Sequence, residues 1–262
     1  MKTFLATVIL IVPILASAQS AVRMRFGAGG VPSGGGGGGS SLTNGVRAYW
    51  AMTNTGSGSE PDLMTGANTL TVSAGDTLAN VPIVLSGGRD CEAGDDDYLT
   101  SETNAVVDLG ADTSFTLLCW INMESGSVFK PLIRKPGSFT TSVSGANLLQ
   151  LTVFSVATNR VLAGHNIGTG TNYLVAFTYD ATNDVIGIRT FEPAGSRYSS
   201  QAYTEGTTNT SSAFWFSAID TDTTQNWDGV IGPTAFIHNA MPSNVVAQIY
   251  NSGYGLAFPW AP

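Results

Sequence analysis

The chain has 262 residues, a formal net charge of −8 and only 11% charged residues. Its three lysines, Lys2, Lys130 and Lys135, form no basic stripe that would neutralise a phosphate backbone, which excludes nucleic acid as a partner. Few Lys, Glu and Arg beside 31 glycines disfavour long surface helices, and the length suits one large all-β domain.

The first stretch, "MKTFLATVILIVPILASAQ", has one Lys, an apolar run from Phe4 to Ala16, and small residues at Ala16 and Ala18 before Gln19. That is the layout of a secretory signal, residues 1–18, with cleavage after Ala18. The run is broken by Pro13 and falls short of the ~20 apolar residues of a spanning helix, so no stable membrane span is expected. Secretion to an extracellular surface is the expectation, with an uncleaved anchor as the alternative. Residues 19–44 contain six consecutive glycines, Gly34 to Gly39, and too little apolar content to offset the entropy of ordering them. They read as a flexible tether that carries a domain at 45–262; an inert spacer is the expectation for it, and a docking peptide at the short basic piece Arg23 to Phe26 is the alternative.

From Val46 onward short β-rich runs alternate with turn signals. "VRAYWAM" places Val46, Ala48, Trp50 and Met52 on one face. "SFTLLCWINM" places Phe115, Leu117, Cys119 and Ile121 on one face and Thr116, Leu118 and Trp120 on the other. "ANLLQLTVFSV", "NYLVAFTYD", "DVIGIRTF", "SAFWFSAI" and "DGVIGPTAFIH" follow, separated by clusters such as "DATND" and "EPAGS". Each one-sided sheet must cover its apolar face, so a two-sheet antiparallel sandwich is expected. A single helix is expected at Asn244 to Tyr250, started by Pro242 and Ser243, with Val246, Ile249 and Tyr250 on one side and Gly253 as the stop. Cys91 and Cys119 alternate with polar residues in strand-like runs, which suits small buried thiols; an exported protein would also allow a disulfide.

Five stretches in this order resemble the laminin-G-like branch of the concanavalin A-like jelly rolls. "GVRAYWAM" resembles the opening strand, "PDLMTGANTLTV" the Asp, Gly and Asn loop after it, and "CEAGDDDYLT" the turn ending in an acid and Tyr. "SFTLLCWINM" is similar to the strand with a Trp near its end, and "YLVAFTYDATNDVIGIRTF" to the central hairpin. The tail "YNSGYGLAFPW" completes the likeness, which implies a jelly-roll sandwich with one short C-terminal helix over most of residues 45 to 260. In that family the closing strand reads Gly, apolar, Ile and two acids, the first of which commonly helps to hold calcium with the early Asp loop. Here those positions are Gly232 and Pro233. Of the implied metal site Asp62 and Asn68 remain as candidates, and calcium is the only cofactor the resemblance suggests; none is required.

Other acids gather in turns. "DTDTTQNWDG", with Asp220, Asp222, Thr224, Asn226 and Asp228, alternates oxygen side chains but lacks the Gly and terminal Glu of an EF-hand loop. Asp95, Asp96 and Asp97 are consecutive and so point apart in extended chain. No strand carries alternating acids of the kind a jelly-roll glucanase uses, and His165 and His238 lie in unlike contexts, so no catalytic set assembles.

Aromatic residues are the remaining chemistry. Trp50 and Trp120 read as core. In "SAFWFSAI" alternation sends Phe214 and Phe216 inward and Trp215 outward, a surface on which a sugar ring stacks; Trp227 beside Asn226 and Asp228 is a second candidate. Asn209 heads a lone glycosylation sequon. The expectation is an exported, non-catalytic adhesive or carbohydrate-binding module whose partner is a glycan or surface polysaccharide. The rival is a structural protein of a virion or surface assembly that uses the sandwich for self-association or docking, and a divergent glycan-processing enzyme is the third reading.

Overall fold

Among the described residues, hydrophobic periodicity translates into fifteen strands and one α-helix. The structure, a computed structural model, describes residues 42–64, 68–72, 79–84, 87–92, 97–103, 105–126, 128–155, 159–208, 210–218 and 226–260. The signal-like segment, most of the tether, Asp95, Asp96, Asn209, Asp220, Asp222 and Thr224 lie outside the described residues. In chain order the strands are β1 Val46–Trp50, β2 Leu70–Val72, β3 Ala79–Val81, β4 Gly88–Cys91, β5 Leu99–Ser101, β6 Phe115–Met123, β7 Lys130–Lys135 and β8 Phe139–Val143. They continue as β9 Leu148–Phe154, β10 Asn159–Asn166, β11 Asn172–Asp180, β12 Val185–Glu192, β13 Gly195–Ala202, β14 Trp215–Phe216 and β15 Gly229–Ile237, followed by α1 Ser243–Tyr250.

Two antiparallel sheets form a jelly-roll sandwich. The larger runs β13–β12–β11–β6–β15–β4–β3, with β1 pairing the second half of β15 beyond the reach of β4. The smaller runs β10–β9–β8–β7–β14–β5–β2. Strand β6 shows why the layers stack as they do. Phe115, Leu117, Cys119 and Ile121 face the core between the sheets, while Leu118 and Trp120 face a second apolar cluster on the outer side. The central strand β15 is buried along its whole length because both of its faces are covered.

The outer cluster is roofed by α1 and the C-terminal segment. Val246, Ile249 and Tyr250 supply the buried stripe of α1, and Tyr250 stacks on Trp120 with centroids 5.6 Å apart. Phe258 stacks on Tyr49 at 4.1 Å, and Trp260 meets the same ring edge-on at 6.0 Å. Pro242 precedes the first helical turn as expected, but Asn251 (φ 47°) takes the left-handed position that ends the helix, two residues before the expected Gly253. Asn tolerates that conformation, and its Nδ2 donates to Gly255 O at 3.0 Å.

The turn "DATND" between β11 and β12 follows from its first residue. Asp180 Oδ1 accepts the backbone N–H groups of Thr182 (3.0 Å) and Asn183 (3.2 Å), an Asx-type closure. Cys91 and Cys119 are free, buried thiols on strands either side of β15, each pushed up to about 12 by burial.

Candidate functional site

The four residues singled out for glycan contact separate in space. Trp227 is 0% exposed and belongs to the inter-sheet core, and Asn226 is 2% exposed, so neither presents a surface to a ligand. The physical reason is the two-residue period of β15 carried back through Gly229: Trp227 falls on the same side as Ile231, which faces the core. Its backbone N–H donates to Ser217 O at 2.9 Å and Ser217 Oγ at 3.2 Å. Asp228 points the other way, where its carboxylate accepts the Ser125 hydroxyl and lies 3.4 Å from the buried Lys130 ammonium.

Trp215 does face outward. Phe214 and Phe216 are 0% exposed and pack edge-on against Trp50, while Trp215 is half-buried and leans on Tyr98 with centroids 5.3 Å apart. Cross-strand register makes it the centre of a longer feature. Thr71 pairs Thr100, Thr100 pairs Trp215, Trp215 pairs Arg134, Arg134 pairs Thr140, and Thr140 pairs Thr152. Thr152 in turn pairs the exposed Val161. One residue from each strand of the smaller sheet thus lies in a transverse row, which spans about 29 Å at ordinary strand spacing. Every member is partly or fully exposed. Hydroxyls and a guanidinium flank an indole along this line, a surface with an apolar plate and hydrogen-bonding groups on both sides.

The calcium candidates have other employment. Asp62 Oδ1 accepts the N–H groups of Tyr49 (3.1 Å) and Met64 (2.9 Å), and Asp62 Oδ2 accepts Asn68 Nδ2 (2.9 Å). Asn68 O accepts the Trp50 indole N–H at 2.7 Å, which locks the loop to β1. Only Asn68 Oδ1 is buried without a partner in this group. Gly232 and Pro233 sit where the β15–β6 register shifts, and a Cβ on Gly232 would meet Ile83 Cγ2 at 2.8 Å and Trp120 Cβ at 3.0 Å. Carboxylates at those positions would enter the apolar outer cluster. Among the described residues of this loop, one spare side-chain oxygen is a poor match for an ion that takes six to eight, and these donors are used as a loop clamp.

A different group of acids converges at the ends of β4 and β6. Oxygens of Asp90, Glu92 and Glu124 lie within 4.8 Å of one another, with Glu92 and Glu124 exposed. Burial raises the pKa of all three, and Asp228 adds to the rise in each; Asp90 does so for both glutamates. An acid whose folded pKa is raised costs stability once ionised. The cost is present above the folded pKa and disappears as pH falls to the unfolded value. Glu124→Gln is therefore expected to raise the melting temperature slightly at pH 7 in EDTA, with the gain vanishing on acidification through the carboxylate range. Thermal melts at several pH values check this; a gain that persists at pH 3 would refute the like-charge explanation.

His238 is half-buried, and desolvation pushes its pKa down to about 4. Nε2 of His165 lies 3.4 Å from Ser199 Oγ, but among the described residues no carboxylate is hydrogen-bonded to its ring to orient it as a base. Asp97 Oδ2 accepts the Glu92 N–H at 3.0 Å, a turn contact. No helix of the described residues is long and apolar enough to cross a membrane.

No known protein family matches the chain, and no curated protein does. Solved structures are similar. The binding domain of Paraclostridial Mosquitocidal Protein 1 matches with a TM-score of 0.63 at 13% identity, over 81% of this chain and 53% of that one. The botulinum neurotoxin serotype G binding domain matches at 0.61 and 14%, over 78% and 50%. Domain 4 of AbnA, a GH43 extracellular arabinanase from Geobacillus stearothermophilus, solved in complex with arabinotriose, matches at 0.57 and 14%, over 78% of this chain and 97% of that one. The chain spans about half the length of the two toxin domains. At such identities the likeness is one of fold, and the class it defines is an antiparallel all-β sandwich.

Proposed function

We propose that this chain is a carbohydrate-binding module, exported and presented on the Gly-rich segment, which holds a glycan or surface polysaccharide without catalysis. The observation that carries the reading is the transverse row centred on Trp215. An indole face against a sugar ring supplies apolar contact, and the threonines and Arg134 supply hydrogen bonds along a line that suits an extended chain of sugars. The similar fold that holds arabinotriose in the GH43 domain supports the same class of ligand.

Trp215→Ala in the full chain is expected to lower affinity for neutral oligosaccharides about tenfold or more, equal to about 1.4 kcal/mol. The loss of the Tyr98 contact and partial burial should cost only about 1–2 kcal/mol of stability. A glycan array followed by isothermal titration of wild type and variant measures the first, and thermal melts the second. Wild-type protein that binds no glycan, with self-association weakened by the same substitution, would replace this reading with the assembly one.

A further inference from the structure

A second surface lies on the opposite sheet. The outer face of β11, β12 and β13, together with the segment leading into α1, encloses a cleft of about 440 Å3, within the usual range for small-ligand sites. Thr178, Asn183 and Ser243 line it with hydroxyl and amide groups, and Arg189 and Tyr198 form its floor.

Arg189 and Tyr198 are register partners across β12 and β13, and the guanidinium carbon sits 4.2 Å from the ring centre. Tyr198 is 49% exposed. Its ring lies over Gly187, where an added Cβ would come within 2.9 Å of the phenolic oxygen. Glycine at 187 therefore lets the aromatic ring lie across β12 beside the guanidinium, so both groups are held before any ligand arrives. Five other basic side chains, Arg89, Lys130, Lys135, Arg160 and Arg197, pair with carboxylates. Arg189 has no carboxylate partner among the described residues, and its guanidinium lies against the Tyr198 ring. The one acid lining the cleft, Asp180, is already occupied by the N–H groups of its own turn and by Asn183 Nδ2 at 2.7 Å. The first turn of α1 adds no acid.

From this arrangement we infer a second binding site, selective for an oligosaccharide that bears a carboxylate, a uronate sugar. The planar guanidinium accepts a carboxylate through two parallel N–H donors, a fit that an ammonium lacks. The exposed half of the Tyr198 ring takes the apolar face of the sugar, and Thr178, Asn183 and Ser243 reach its hydroxyls. The inference shares the carbohydrate-binding reading but uses none of the Trp215 row.

The test uses the full chain with galacturonate, glucuronate and mannuronate oligosaccharides and, for each, its carboxyl-reduced neutral counterpart, by isothermal titration. At least one uronate oligosaccharide is expected to bind tenfold or more tighter than its reduced form. Arg189→Gln should erase that preference, and Arg189→Lys, which keeps charge and stem, should recover only part of it and reports if the Gln variant fails to fold. Trp215→Ala should leave the Arg189-dependent binding of the uronate intact while it weakens neutral glycans, which separates failure of this site from failure of the Trp215 surface. No uronate preferred over its reduced form, or a preference that survives both Arg189 substitutions, would overturn the inference.

Discussion

Trp227→Ala is expected to cost about 3–5 kcal/mol, the range for removing a buried large aromatic side chain. For a domain of this size that is a fall of roughly 6–20 °C in melting temperature. The indole is 0% exposed and lies in the inter-sheet core with Ile231. Truncation leaves a cavity that a close-packed sandwich fills only in part. Denaturant and thermal unfolding of the variant measure the loss, and the parallel Trp215→Ala variant provides the contrast, since it should keep most of its stability and lose its ligand. A Trp227→Ala protein that melts like wild type would contradict the assignment of this residue to the core.

The second large effect is at Glu60. Its carboxylate accepts the N–H groups of Asn54 (2.9 Å) and Thr53 (3.1 Å) and lies 3.6 Å from Arg89 Nη1, with both side chains almost fully buried. Arg89 also donates to the carbonyl oxygens of Asn54, Gly56 (2.8 Å) and Gly58 (3.2 Å), so the pair pins the whole stretch between β1 and the Asp62 loop. Glu60→Ala strands a buried guanidinium and two backbone donors, and should cost about 3–5 kcal/mol. Burial raises the pKa of Glu60 and lowers that of Arg89, in each case against the pull of the partner. The charged pair is thus no source of stability by itself; breaking one side of it is what costs. Glu60→Ala combined with Arg89→Met should therefore be less destabilised than the sum of the two single changes. Chemical denaturation of the four proteins closes that cycle. Additive losses, or a single loss below about 1 kcal/mol, would show that the charges act independently.

The strands with strong alternation were readable from residues alone. β6 shows both of its faces in "SFTLLCWINM", and Phe214 and Phe216 bracket Trp215 as the two-residue period requires. α1 was readable because Val246, Ile249 and Tyr250 recur at helical spacing after a proline. By contrast β10 and β13 are largely exposed and polar, so they carry no alternation to detect. The polar neighbours of Trp227 give it the look of a surface loop, although the period of β15 extended back two residues places it inward.

What the sequence by itself determined is local: an all-β class, which side chains of each apolar strand turn inward, where the helix begins, and an outward Trp215. These follow from periodicity and turn chemistry, which act over a few residues. The sites belong to the tertiary structure. β14 is two residues long and lies between β5 and β7, more than a hundred and about eighty positions earlier in the chain, so no local pattern could align Trp215 with Thr100 and Arg134. The same holds for the cleft at Arg189, whose wall comes from the start of α1 some fifty residues later. Strand order and register are set by which apolar faces bury best together, a property of the whole chain, and they decide which polar groups meet on the surface.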